Sequence, residues 1–99
     1  MSLRSWLEAR TSQAPVRLRE RVLEHALTPP GTGSYAEHLG LTAQELLSKV
    51  EEHPGDRSVA LDLLAADALI TLALLARAED APERLAEFAT ELLTVDRGG

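Results

Sequence analysis

Residues 58–79 constrain this chain more than any other segment. Read as a helix at 100° per residue, they place large apolar side chains over most of the circumference. Such a helix must be surrounded by other helices of its own chain or by a second chain. The remaining sequence supplies those helices. Nineteen Leu and fifteen Ala stand against five Val and one Ile. Leu and Ala lose little side-chain freedom in a helix, whereas strands draw on β-branched and aromatic residues. Trp6, Tyr35 and Phe88 are the only aromatics, and no run alternates long enough for a strand. The expected fold is all-α: a compact single-domain bundle of five or six helices around residues 58–79. A length of 99 residues allows one core. The domain is read over residues 1–96, with Arg97-Gly98-Gly99 as a frayed tail.

Punctuation divides the rest. Ser2 can cap a first helix over Leu3–Arg10. Pro15 suits a first turn, so a second helix runs from there to about Leu27. Its core side is read as Val16, Leu23, Ala26 and Leu27, with Val22 near the edge. Thr28-Pro29-Pro30-Gly31-Thr32-Gly33-Ser34 is a loop. Ser34 with Glu37 forms a capping box, which predicts a short helix from Tyr35 to a stop near Gly40. Thr42 with Glu45 forms a second box, opening a separate helix to about Glu52. His53-Pro54-Gly55-Asp56 ends it, and Ser58 can cap the central helix. Pro82 sits in the first turn of a last helix. Leu85, Phe88, Ala89, Leu92 and Leu93 give that helix one apolar stripe. The second and last helices are the expected main covers of the central one.

Composition excludes much chemistry. The absence of cysteine removes disulfides, thiolate metal sites and cysteine nucleophiles. His25, His38 and His53 each follow a glutamate, and adjacent helical residues point about 100° apart, so these are not chelating pairs. The residues three before them are Val22, Tyr35 and Val50, which excludes a Glu-x-x-His metal pattern. The histidines read as surface or helix-end residues. Gly31-Thr32-Gly33 lacks the strand, third glycine and lysine of a phosphate loop. The chain therefore reads as a non-enzyme without metal or cofactor.

The first fifteen residues hold Arg4, Glu8 and Arg10 and show no secretory pattern. Val59–Ala76 has the length of a membrane span but carries Asp62 and Asp67. Each aspartate near a membrane-helix centre costs roughly 2.5–3.5 kcal/mol, against roughly 0.3–0.6 gained per large apolar residue. With nine large apolar residues the balance is near zero or unfavourable. A cytoplasmic protein with no membrane partner is expected.

Three features are candidates for function. Ala65, Ala66, Ala73 and Ala76 share one side of the central helix with Leu69 and Asp62. That small-residue seam either takes the second or last helix of the same chain, or is a two-fold dimer interface. Asp67 lies within a Leu-rich arc, with Thr71 one turn on. It is expected to be buried against Arg17, Arg21 or His25 as a register-fixing pair, to serve as an acid group in a pocket, or to reach solvent. Glu83, Glu87 and Glu91 form an acidic ridge, either a solvated face or a docking ridge for a basic partner. Residues 1–30 supply such basic charge, with five Arg against three Glu, whereas residues 31–99 hold five cations against thirteen carboxylates. The net charge is −6.

The stretch Tyr35 to Leu46 resembles a DNA-binding helix-turn-helix. Ala36 falls inside its first helix, Gly40 at its turn with Leu39 and Leu41 around it, Thr42 at the start of its second helix, and Leu46 at its buried position. The resemblance implies that Thr42, Ala43, Gln44, Ser48 and Lys49 face a major groove. Two functions are thus expected in order. The first is a small acidic protein-interaction or scaffold module, homodimeric or bound to another protein. The second is a small DNA-binding regulator using residues 35–50. Nucleic acid is the less favoured partner, because an acidic chain has little charge with which to neutralise phosphates.

Overall fold

Ser2 starts the first helix by accepting the Ser5 backbone N–H at 3.1 Å. Thr11 closes it: its backbone N–H and its hydroxyl both donate to the Leu7 carbonyl, at 3.0 and 2.8 Å. The computed structural model describes residues 2–27, 33–52, 55 and 57–94. They form α1 (Leu3–Arg10), α2 (Val16–Leu27), α3 (Tyr35–Glu52), α4 (Arg57–Asp80) and α5 (Leu85–Thr94), with a 3-10 turn at Pro82–Arg84 before α5. The fold is an all-α bundle about α4. The Arg97-Gly98-Gly99 tail, the Thr28-Pro29-Pro30-Gly31-Thr32 part of the first loop, and His53, Pro54 and Asp56 lie outside the described residues.

Residues 35–52 differ from expectation. They form one helix of 18 residues, with no stop at Gly40. Gly40 is a regular helical residue, since positive φ occurs only at Gly33 and Gly55 among the described glycines. It is kept small by packing. A Cβ there would lie 3.1 Å from Leu92 Cδ1 and 3.6 Å from Phe88 Cζ. Docking of α5 against this notch offsets the roughly 1 kcal/mol that glycine costs in a helix. Thr42 is no cap either, because its hydroxyl donates back to the His38 carbonyl at 2.9 Å. At the helix start the expected contact forms: Ser34 Oγ accepts the Glu37 backbone N–H at 3.2 Å.

The merged α3 is the principal cover of α4, displacing α2 and α5 from the role the sequence assigned them. Ala36 and Ala43 of α3, and Ala65, Ala66, Ala73 and Ala76 of α4, are all buried. Small residues on both sides let the two helices lie close. Leu39, Leu46, Leu69 and Leu72 fill the space between them, with Trp6 and Leu7, Val22 and Ala26, and Leu92 closing the sides. On α2 the inward line runs through Leu18, Val22 and Ala26. Val16 lies about 200° from Leu18 around that helix and is 69% exposed, so it is not a core residue. The α4 helix starts at Arg57, which places Ser58 inside its first turn rather than at its cap.

Candidate functional site

The polar contacts fasten helices together. Glu79, near the end of α4, accepts from Trp6 Nε1 at 3.1 Å and from Arg10 Nε and Nη2 at 3.2 and 2.7 Å. Arg10 also stacks over the Trp6 ring, 4.2 Å from its centroid. The Arg10 hydrogen bonds, and then that of Trp6, hold the Glu79 carboxyl below its usual range against a smaller opposing desolvation. At the other end of α4, Asp62 sits 2.8 Å from Arg21 Nε and 3.5 Å from His25 Nε2 of α2. Two of the three partners anticipated for Asp67, Arg21 and His25, are therefore those of Asp62, and Arg17 is not among them. His38 is buried rather than superficial, with Nε2 2.6 Å from the Ala26 carbonyl. A carbonyl only accepts, so Nε2 carries the proton.

Among the described residues, three larger clefts accompany these contacts. One of about 380 Å³ lies beside Trp6, Tyr35 and Glu79, where the carboxylate is already engaged by Arg10. Another of about 390 Å³ lies between α2 and the start of α4, lined by Arg17, Glu20, Arg21, Glu24, Arg57 and Leu61. Its charges are of mixed sign. The third, about 240 Å³, separates α3 from α5 and has an apolar floor of Gly40, Phe88 and Leu92. Among the described residues, no group of three His, Asp or Glu is placed to hold a metal ion.

The outward side of α4 is different in kind. Leu63, Leu64 and Leu75 are 48%, 56% and 40% exposed. Asp67 and Thr71 stand between them, also exposed, and Thr71 Oγ1 donates to the Asp67 backbone carbonyl at 3.2 Å. Asp67 is thus neither buried nor an acid group in a pocket; it faces solvent within an apolar stripe. The Ala65, Ala66, Leu69, Ala73 and Ala76 seam lies on the opposite side and is consumed inside the chain. It is unavailable as a dimer interface, because α3 already occupies it. The segment Val59–Asp80 is long and apolar enough to cross a membrane, with 33% of its most apolar stretch buried within the chain.

The remaining candidates are dispersed. Glu83 lies in the 3-10 turn, and Glu87 and Glu91 lie on α5; all three are exposed. Arg84 and Arg77 stand beside Glu87 and Glu91 around Phe88, so the ridge is flanked by cations. Thr42 and Ala43 are buried and cannot enter a groove. Gln44 is half-buried and donates to the Leu92 carbonyl at 3.3 Å, tying α3 to α5. Only Ser48 and Lys49 of that set are exposed. A continuous α3 also lacks the turn that a helix-turn-helix requires.

Sequence reasoning missed the Trp6–Arg10–Glu79 fastening and the outward leucines. The first carried no local signal beyond Trp6 and Arg10 one turn apart. The second had a signal in Asp67 and Thr71, polar residues on one line within a Leu-rich arc. Comparison with protein-family models, with curated proteins and with solved structures finds no match for the chain.

Proposed function

We propose that the chain is a small, acidic, non-enzymatic protein-interaction module whose contact surface is the outward face of α4. One observation carries this reading: the helix that organises the core also turns Leu63, Leu64 and Leu75 to solvent. Single exposed leucines are ordinary, but three on one face of one helix, set around Asp67 and Thr71, are an apolar grouping of the kind that marks a contact. The inner face of α4 holds the fold, and the outer face is left for a partner helix. Photo-cross-linking tests this directly. A photoreactive residue replacing Leu64 gives protein adducts in cells, whereas the same group replacing the exposed Lys49 on α3 does not. Failure to form any protein adduct at Leu64 and at Leu75 overturns the reading.

A further inference from the structure

We propose that the occupant of this face is α4 of a second copy, lying antiparallel across a two-fold axis level with Leu69. The inference rests on the reading of the α4 face as a contact surface and names its partner. Ala60, Leu64, Asp67, Thr71, Leu74 and Ala78 follow one another at spacings of four, three, four, three and four. That is the seam spacing of a coiled coil. The first four are exposed and the last two half-buried. The residues on the far side of the same helix, Ala66, Leu69, Ala73 and Ala76, are turned into the chain's own core.

The seam is its own complement when reversed. From either end it reads small, leucine, polar, polar, leucine, small. An antiparallel copy centred on residue 69 therefore sets Ala60 against Ala78, Leu64 against Leu74, and Asp67 against Thr71 of the second copy. Leu63 and Leu75 flank the seam. A helix of an unrelated protein would have no reason to share this symmetry, whereas a second copy supplies it automatically.

Charge selects the same direction. Parallel pairing would bring two Asp67 carboxylates into one layer of the seam, where like charges repel as they lose water. Antiparallel pairing puts the two carboxylates in separate layers, each facing a Thr71 hydroxyl, which must turn from its own chain's Asp67 carbonyl to donate across the seam. It also brings Arg57, exposed at the start of α4, level with Ala81 of the second copy. There the cation meets the carbonyl end of a helix and its Asp80. A single helix pair is smaller than the roughly 1,200 Å² that lasting interfaces bury, so the pairing is reversible and depends on concentration.

The chain contains no cysteine, so an introduced one reports a single position. Ala60→Cys protein, Ala78→Cys protein and an equal mixture of both are oxidised above the dissociation constant. The mixture is expected to give a disulfide-linked pair at least tenfold faster than either variant alone. Within one antiparallel dimer, equivalent positions lie about 27 Å apart along the axis, beyond the roughly 4.4–6.8 Å that a disulfide spans between Cα atoms. The Leu64→Cys and Leu74→Cys pair reports the same register should either alanine variant fail to fold.

Efficient self-linking of Ala60→Cys overturns the antiparallel arrangement in favour of a parallel one. Absence of linkage in every sample, with the unmodified chain sedimenting as a single chain, overturns the second copy as occupant. If Leu64 still gives adducts with another protein in that case, the interaction module stands and only its partner changes. If the single chain instead floats with vesicles of phosphatidylcholine and phosphatidylglycerol, the face binds lipid and the second copy is likewise excluded.

Discussion

Glu79 takes hydrogen bonds from Arg10 and Trp6, and this fixes α1 to the end of α4. Its folded pKa lies below the ordinary value of 4.5. The fastening therefore contributes its full stability above that pH and loses it as pH falls through the lower folded value. Glu79→Gln is expected to lower the melting temperature at neutral pH, and the difference from the parent should narrow in acid, as the pH falls below the lowered folded value. Circular dichroism melts at neutral and at acid pH check this; an undiminished difference in acid would contradict it. Gly40 makes a second residue-scale case. Gly40→Val puts a branched side chain where even a Cβ would meet Leu92 at 3.1 Å. A loss of about 1–3 kcal/mol is expected, with faster amide exchange confined first to α5. Neither residue was legible in the sequence. Their partners are 69 to 73 positions away for Glu79 and about fifty away for Gly40, and local patterns carry no such pairing. Read locally, a glycine before Thr42 and Glu45 is a stop; read in three dimensions, it is a notch for α5.

At the scale of the element, α4 shows why periodicity alone left its orientation open. Both faces are apolar, so the pattern identifies a helix but not which side turns inward. The small residues could have served either contact. Only Asp67 and Thr71 mark the phase, and solvent was one of three environments expected for Asp67. The two faces respond differently to substitution. Ala73→Leu overpacks the buried seam and is expected to cost about 1–3 kcal/mol by denaturant titration, with association unaffected once the protein is folded. Leu64→Glu lies on the exposed side and should change the folding stability of the separated chain by no more than about 0.5 kcal/mol while abolishing pairing. The reverse pattern, a stable but unpaired Ala73→Leu, would restore the alanine seam as the interface. Asp67→Leu removes the polar layer that sets direction. It should strengthen pairing and allow an added Ala60→Cys to link with itself.

For the whole molecule, the class of fold was readable from leucine and alanine content and from the enclosure that α4 demands. The arrangement of its covers was not. Joining two short segments into α3 made a long antiparallel neighbour for α4, where two separate helices would have closed only one end. The charge asymmetry also has an internal use. Arg10 and Arg21, two of the five N-terminal arginines, pair with Glu79 and Asp62 on α4. Those two cations are occupied by the fold's own carboxylates, and the proposed contact surface is the outward apolar face of α4. Sedimentation equilibrium of the unmodified chain over about a hundredfold range of concentration tests that division of α4 most directly. The average mass is expected to rise from 10.7 kDa toward twice that value, and Leu64→Glu should hold it at one chain. A mass of one chain at every concentration, or a dimer indifferent to Leu64→Glu, would contradict it.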